Sequence, residues 1–141
     1  MKVIERRKIA LDKLIEKEVD IEDCVPYEGG YTGRKAEWRR KESPMYPKVK
    51  ASVKKLGMVN PLWLFERRDG KYRIGKGCCR AVVCFDLGIK KVKALIAPVG
   101  MERKVANRLF RNSEYKDAYF VDADGEIVLE NGEPKVIPKG F

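Results

Sequence analysis

The chain has 141 residues, 44% of them apolar and 37% charged, a size that supports one hydrophobic core and falls short of two. It has no histidine, which excludes Ser-His-Asp, Cys-His and histidine-ligated zinc hydrolase chemistry, and no run of about 18 apolar residues that would cross a bilayer. Net charge is +10, yet residues 111 to 141 hold four Lys/Arg against seven Asp/Glu, so the first 110 residues carry +13, an electrostatic footprint suited to nucleic acid or another polyanion.

The start, Met1 to Lys8, lacks the apolar centre of a secretion signal, and a cytoplasmic location is expected. Arg7 to Ile15 reads as a strand with Ile9 and Leu11 on one face. Val19 to Pro44 reads as a long loop, on the Glu28-Gly29-Gly30 and Ser43-Pro44 signals. Residues 31 to 55 hold nine Lys/Arg against two Glu, with Tyr31, Trp38 and Tyr46 interleaved, a composition suited to phosphate contacts and base stacking. Arg34, Lys35, Trp38, Arg39, Arg40 and Lys41 are the candidate nucleic-acid contacts, with a solvated basic loop as the alternative.

Pro47 suits a first helical turn, Val49, Val53 and Leu56 follow at helical spacing, and Gly57 supplies a left-handed stop. Leu62 to Phe65 and Lys71 to Ile74 read as a hairpin about Arg68-Asp69-Gly70. Cys78 to Leu87 is apolar except at Arg80 and Asp86, which predicts a buried helix ended by Gly88. Val92, Ala94 and Ile96 alternate as a strand, and Met101, Val105 and Leu109 recur every fourth residue on a basic helix. In the acidic end, Tyr119 to Val121, Ile127 to Leu129 and Val136-Ile137 are separated by Asp124-Gly125 and Asn131-Gly132, the pattern of a small meander. Three of the four cysteines, Cys78, Cys79 and Cys84, crowd one predicted helix at spacings poor for bridging, and Cys24 lies apart, so free thiols are expected.

The most informative stretch is Ile74-Gly75-Lys76-Gly77-Cys78-Cys79-Arg80, where a glycine joins a strand to a helix. Such a corner aims backbone N–H groups and a helix N-terminus at one point, and Lys76 and Arg80 beside it favour an anion, most simply a phosphate. An ordinary strand-to-helix corner is the alternative. The same surroundings would favour a thiolate at Cys78, against which stands the plain reading of a small apolar helix residue.

Ser52 to Pro61, Asp69 to Tyr72 and Gly77-Cys78-Cys79-Arg80, with Gly88 eleven residues past Gly77, together resemble the ParB/sulfiredoxin superfamily over residues 7 to 111. In that family a helix and a loop ending in Gly-x-x-Gln/Asn-Pro precede a hairpin, and a Gly-x-x-Arg turn opens the next helix. The resemblance implies nucleotide binding at the turn: partition proteins use CTP, sulfiredoxins and a free serine kinase use adenine nucleotides, and some plasmid and phage members act on DNA. Carried over by position, Gly77 and Arg80 match the phosphate-binding pair, and Gly57, Asn60 and Pro61 match the loop lining the pocket. Cys78 falls where sulfiredoxins place their catalytic cysteine, and Cys79 replaces their histidine. Partition proteins put Glu-Arg or His-Arg in those places, so the acidic partner for metal-assisted hydrolysis is missing.

The resulting expectation is an α+β, ParB/sulfiredoxin-like domain with a mixed small sheet and packed helices over residues 1 to 111, and an acidic β-hairpin extension over 112 to 141. It would bind ATP or CTP, with magnesium implied by the triphosphate, through Gly57, Asn60, Pro61, Lys76, Gly77, Cys78, Cys79 and Arg80, and act on or near DNA as a plasmid or phage protein, with NTPase or nuclease activity left open. The alternatives are an ATP-dependent thiol enzyme using Cys78 and a non-catalytic DNA-binding or inhibitor protein. Oligomeric state is left open, a dimer included.

Overall fold

A strand that is apolar at four consecutive positions needs cover on both faces. Strand β3 (Leu62–Glu66) is of this kind, and in the computed structural model Leu62 and Leu64 enter one core while Trp63 and Phe65 enter another. The structure describes residues 13–58, 60–113, 129–131 and 133–134. β3 lies at the centre of a five-stranded sheet of order β1-β5-β3-β4-β2, built with β1 (Ile15–Asp20), β2 (Cys24–Val25), β4 (Tyr72–Lys76) and β5 (Lys91–Ala97). The β1–β5 and β3–β4 pairs are antiparallel, and the β3–β5 and β2–β4 pairs are parallel. The sheet is mixed and helices pack on it, as expected for the α+β class.

Three helices cover the face lined by Leu62, Leu64, Ile74, Val92, Ala94 and Ile96. They are α1 (Arg34–Glu42), α2 (Met45–Leu56) and α3 (Cys78–Asp86). α3 buries six consecutive residues from Cys79 to Cys84, because it is enclosed by the sheet and the other two helices. Helix α2 buries Val49 and Val53 and stops at Gly57, whose φ is +71° and whose N–H bonds the Val53 carbonyl at 2.8 Å. Arg40 of α1 clamps the far end of α3 with two hydrogen bonds to Asp86, at 2.8 and 2.9 Å, and the Tyr46 hydroxyl donates to the same carboxylate at 2.5 Å.

Helix α4 (Arg103–Arg111) covers the opposite face. Phe110 is fully buried and stacks on Trp63 with ring centroids 5.0 Å apart, while Phe65 meets Phe110 edge-on at 5.6 Å. Burying one such ring contributes roughly 1.5–3 kcal/mol, and aromatic pairing adds roughly 0.5–1.5 kcal/mol.

Three expectations need correction. The segment from Val19 to Pro44 is not one long loop: β1 runs to Asp20, β2 follows, and α1 occupies residues 34 to 42. Helix α1 shows no apolar stripe because Ala36 is its one buried residue, so periodicity had nothing to register. The buried stripe of α4 is Ala106 and Phe110, one position beyond Val105 and Leu109, because Phe110 is the ring that meets Trp63. Finally, Cys24 belongs to β2 and is buried in the main core.

The strand expected over residues 7 to 15 lies outside the described residues except at its end, where Ile15 opens β1. In the acidic end, Leu129–Glu130 pairs antiparallel with Glu133–Pro134 around Asn131, whose φ is +55°, in line with the hairpin expected there. The other segments of the expected meander lie outside the described residues. The four cysteines are free thiols.

Candidate functional site

Gly77 ends β4 and caps α3 in the left-handed region, at φ +106° and ψ 22°. A side chain there would be strained by its backbone and crowded as well: a Cβ would lie 2.6 Å from Leu62 Cδ2 and 2.9 Å from Arg80 Nη2. The glycine therefore serves the close approach of β3 and of the Arg80 guanidinium as much as the turn. As the N-cap, Gly77 has no side chain with which to bond the first turn of α3. Ala81 N–H bonds the Gly77 carbonyl at 2.8 Å, and the N–H groups ahead of it have no acceptor within the helix itself. Together with the helix dipole they favour negative charge at this corner.

Arg80 is 5% exposed and lies beneath the turn. Its Nη1 donates to the Asn60 carbonyl at 2.5 Å, and its Nε is buried without an acceptor. Burial lowers its pKa to about 10, and no carboxylate pairs with it among the described residues. An unpaired buried cation is among the costliest groups a fold can hold. Here it belongs to the first turn of α3, with its guanidinium beneath the Gly77 corner.

The sequence placed eight residues at this site, and the structure assembles part of that set. Asn60, Gly77 and Arg80 meet, with Leu62 closing the floor and Pro61 buried in the same loop. Gly57, at the exposed end of α2, starts that loop. Cys79 is fully buried in the main core, so only its backbone belongs to the turn. Lys76 departs from expectation. A register shift between Trp63 and Leu64 pairs Lys76 with Trp63, and its Nζ lies 4.4 Å from the Trp63 ring centroid, in a cleft with α4 rather than beside Gly77.

Cys78 also departs from expectation. Its thiol donates to the Pro26 carbonyl at 3.0 Å, and burial pushes its pKa up to about 11, against the pull of Arg39 and Lys35. The helix N-terminus does not overcome desolvation, and the thiol stays protonated at neutral pH. The cations that act on this thiol come from α1, and Tyr27 accepts a hydrogen bond from Arg39 Nε at 2.8 Å beside them. Tyr27 and Pro26 carried no motif in the sequence, since they come within reach of α1 and α3 only through the fold.

The six candidate nucleic-acid contacts all lie on α1. Arg34, Lys35, Trp38 and Lys41 are exposed, and Trp38 is the one large apolar side chain among the described residues to be so, at 51%. Arg39 is half-buried against Tyr27, with its guanidinium 5.2 Å from the Trp38 ring centroid. Arg40 leaves the list: Asp86 holds it by both ends and Glu37 binds it as well, a structural clamp rather than an outward contact.

Among the described residues no group of three or more Asp, Glu, Cys or His side chains is placed to hold a metal ion. The described residues thus offer no cage of that kind for magnesium. Among those residues no helix is long and apolar enough to cross a membrane.

No protein-family model matches the sequence, and no curated protein matches it. Solved structures similar to this chain include two of different kinds. One is the C-terminally truncated chromosome-partitioning protein ParB from Caulobacter crescentus complexed with CTP-gamma-S, at 18% identity and TM-score 0.45, covering 74% of this chain. This chain spans 56% of that protein's chain. The other is sulfiredoxin from Arabidopsis thaliana, at 19% identity and TM-score 0.45, covering 67% of this chain and 97% of that one. The likeness is one of chain path and not of activity.

Proposed function

We propose that this chain is a ParB/sulfiredoxin-like domain, spanning residues 1 to 111 with an acidic extension over 112 to 141, that binds a nucleotide by its phosphates at the Gly77 turn and works on or near nucleic acid. The observation that carries the reading is Arg80, a buried guanidinium with no carboxylate partner among the described residues, beneath a helix N-terminus whose N-cap is a glycine. An anion seated on the N–H groups of α3 compensates that charge, and the fold already bears the cost of holding it in place. Arg80 acts here through its field from below the turn, not as a fork around the phosphate. Lys35 and Arg39 of α1 add charge from the solvent side, and the loop from Gly57 to Pro61 forms the neighbouring wall. The nucleotide is ATP or CTP, and any magnesium comes with it on the phosphate oxygens, since this ion keeps much of its water and is held mainly by phosphates.

A second reading, a sulfiredoxin-like thiol enzyme using Cys78, is disfavoured by the raised pKa of that thiol. The nucleic-acid part of the proposal rests on the exposed Trp38 beside Arg34, Lys35 and Lys41. The test is the melting temperature with ATP and with CTP, each with and without magnesium. A ligand selective for the folded form must raise it, by about 2.7 kcal/mol of stabilisation at a hundred times its Kd. Arg80→Met should remove that rise. A parent protein that shifts with no nucleotide, or an Arg80→Met protein that shifts as the parent does, ends this reading.

A further inference from the structure

The opposite face of the sheet carries a second cluster of cations. Trp63, Phe65, Gly75, Lys76 and Phe110, with Arg103, Asn107 and Arg111 along the rim, line a cleft of about 280 Å³ between the β3–β4 hairpin and α4. Arg73 and Arg103 both lie on the ring of Phe65, with guanidinium carbons 4.9 and 5.4 Å from its centroid. Arg73, Arg103 and Arg111 have no carboxylate partner among the described residues, and no acidic side chain lines the cleft. On other parts of the surface Asp86 pairs with Arg40 and Asp69 with Arg67.

The helix arranges the rim. Arg103, Asn107 and Arg111 recur every fourth residue on the exposed side of α4, while Ala106 and Phe110 form its buried side. Arg103 and Arg111 are thus about 12 Å apart along the helix axis. Gly75 makes room for this: a Cβ there would lie 2.6 Å from the Phe65 ring, so the bare backbone lets that ring lie flat as a base for the two guanidiniums. A guanidinium laid on an aromatic ring keeps its N–H edge free in the plane, which suits the oxygens of a phosphate. The indole N–H of Trp63, buried in the wall of the cleft, has no acceptor among the described residues.

We propose that this cleft is a binding site for the phosphodiester backbone of nucleic acid, separate from the Gly77 turn and on the opposite side of the sheet from α1. It rests on the nucleic-acid part of the reading above and adds a second line of contact to it. Phosphates run along Arg103 and Arg111, with Arg73 and Lys76 at the inner end, and the half-buried Phe65 ring gives a base something to lie against. Backbone contact of this kind is independent of sequence.

The experiment measures binding of a labelled 20-nucleotide single strand, and of the matching duplex, by fluorescence anisotropy between 50 and 200 mM salt. Three proteins are compared: the parent, Arg103→Ala/Arg111→Ala, and Arg34→Ala/Lys35→Ala. The double substitution on α4 removes exposed side chains and should leave the melting temperature unchanged. It should weaken binding at least tenfold at 50 mM salt. It should also flatten the plot of log affinity against log salt, by about 1.4 for the single strand and 1.8 for the duplex if each arginine holds one phosphate. In a Trp38→Phe background, where Trp63 is the remaining tryptophan, its fluorescence should change on binding. An unchanged affinity and slope in the α4 variant, with binding lost in the α1 variant, overturns this proposal while leaving the α1 surface in place. Absence of oligonucleotide binding by the parent, with polyglutamate or a free nucleotide perturbing Trp63 instead, overturns it in favour of another anion.

Discussion

The Arg80 guanidinium donates to the carbonyl of Asn60 across the floor of the Gly77 turn, at 2.5 Å, and this one contact ties the loop after α2 to the start of α3. It joins two segments 20 residues apart by a charge that the fold holds without a counter-ion among the described residues. Stability and binding should therefore pull in opposite directions at this position. Arg80→Met keeps the length of the side chain and removes the buried charge. The substitution should stabilise the free protein by about 1–4 kcal/mol in urea unfolding, while removing nucleotide binding. A destabilised Arg80→Met protein would mean that the Asn60 contact outweighs desolvation.

Gly77→Ala should cost about 2–4 kcal/mol, from its left-handed backbone and from the contacts its Cβ would make with Leu62 Cδ2 and Arg80 Nη2. Gly57→Ala is the comparison: its φ is also positive, but nothing lies within 4 Å of the added atom. The cost there should be the backbone strain alone, about 1–2 kcal/mol. Equal losses in urea midpoints for the two variants would refute the crowding at Gly77.

Cys78 should react with iodoacetamide slowly at pH 8. Its rate should rise with pH toward an apparent pKa near 11, instead of levelling near the ordinary value of 9. The same burial links thiol ionisation to folding. With the folded pKa above the unfolded one, the stabilising contribution is complete below about pH 9 and is lost as pH rises through about 11. Cys79 and Cys84, also raised to about 11, add to the loss, and urea midpoints should fall between pH 9 and 11. A thiolate trapped at pH 7 would contradict this and restore the thiol-enzyme reading.

Trp38→Ala should leave stability within about 0.5 kcal/mol of the parent, because the ring is 51% exposed and contributes little to the core. It should weaken single-strand binding by about 1–3 kcal/mol if a base stacks there. Phe110→Ala, by contrast, should cost about 3–5 kcal/mol, since it empties the second core and leaves Trp63 without its stacking partner. Unfolding followed by tryptophan fluorescence reads both substitutions.

Much of the architecture was legible because its signals are local. The apolar run from Leu62 to Phe65, the Arg68-Asp69-Gly70 turn and the glycine stops at Gly57 and Gly88 each act within a few residues, and each lies where the sequence puts it. Helix α1 was not legible: it is polar almost all round, anchored by one alanine and by the distant clamp of Arg40 on Asp86. At the candidate site, motif order put Asn60, Gly77 and Arg80 in one group, and the bond from Arg80 to the Asn60 carbonyl is the contact that joins them. Where Lys76 points was not legible, because a shift in strand register decides it. The protonation of Cys78 was not legible either, because that depends on how much chain encloses the thiol, and spacing along the sequence does not report it.

The two rims of the sheet limit how copies of this chain can assemble. Among the described residues, the outermost strand at one end, β1, presents Glu16, Lys17 and Glu18 to solvent, and the one at the other end, β2, is two residues long. Alternating charge on one border and brevity on the other make poor templates for a visiting strand. Along these two described borders, growth of the sheet from one molecule into the next is thereby discouraged.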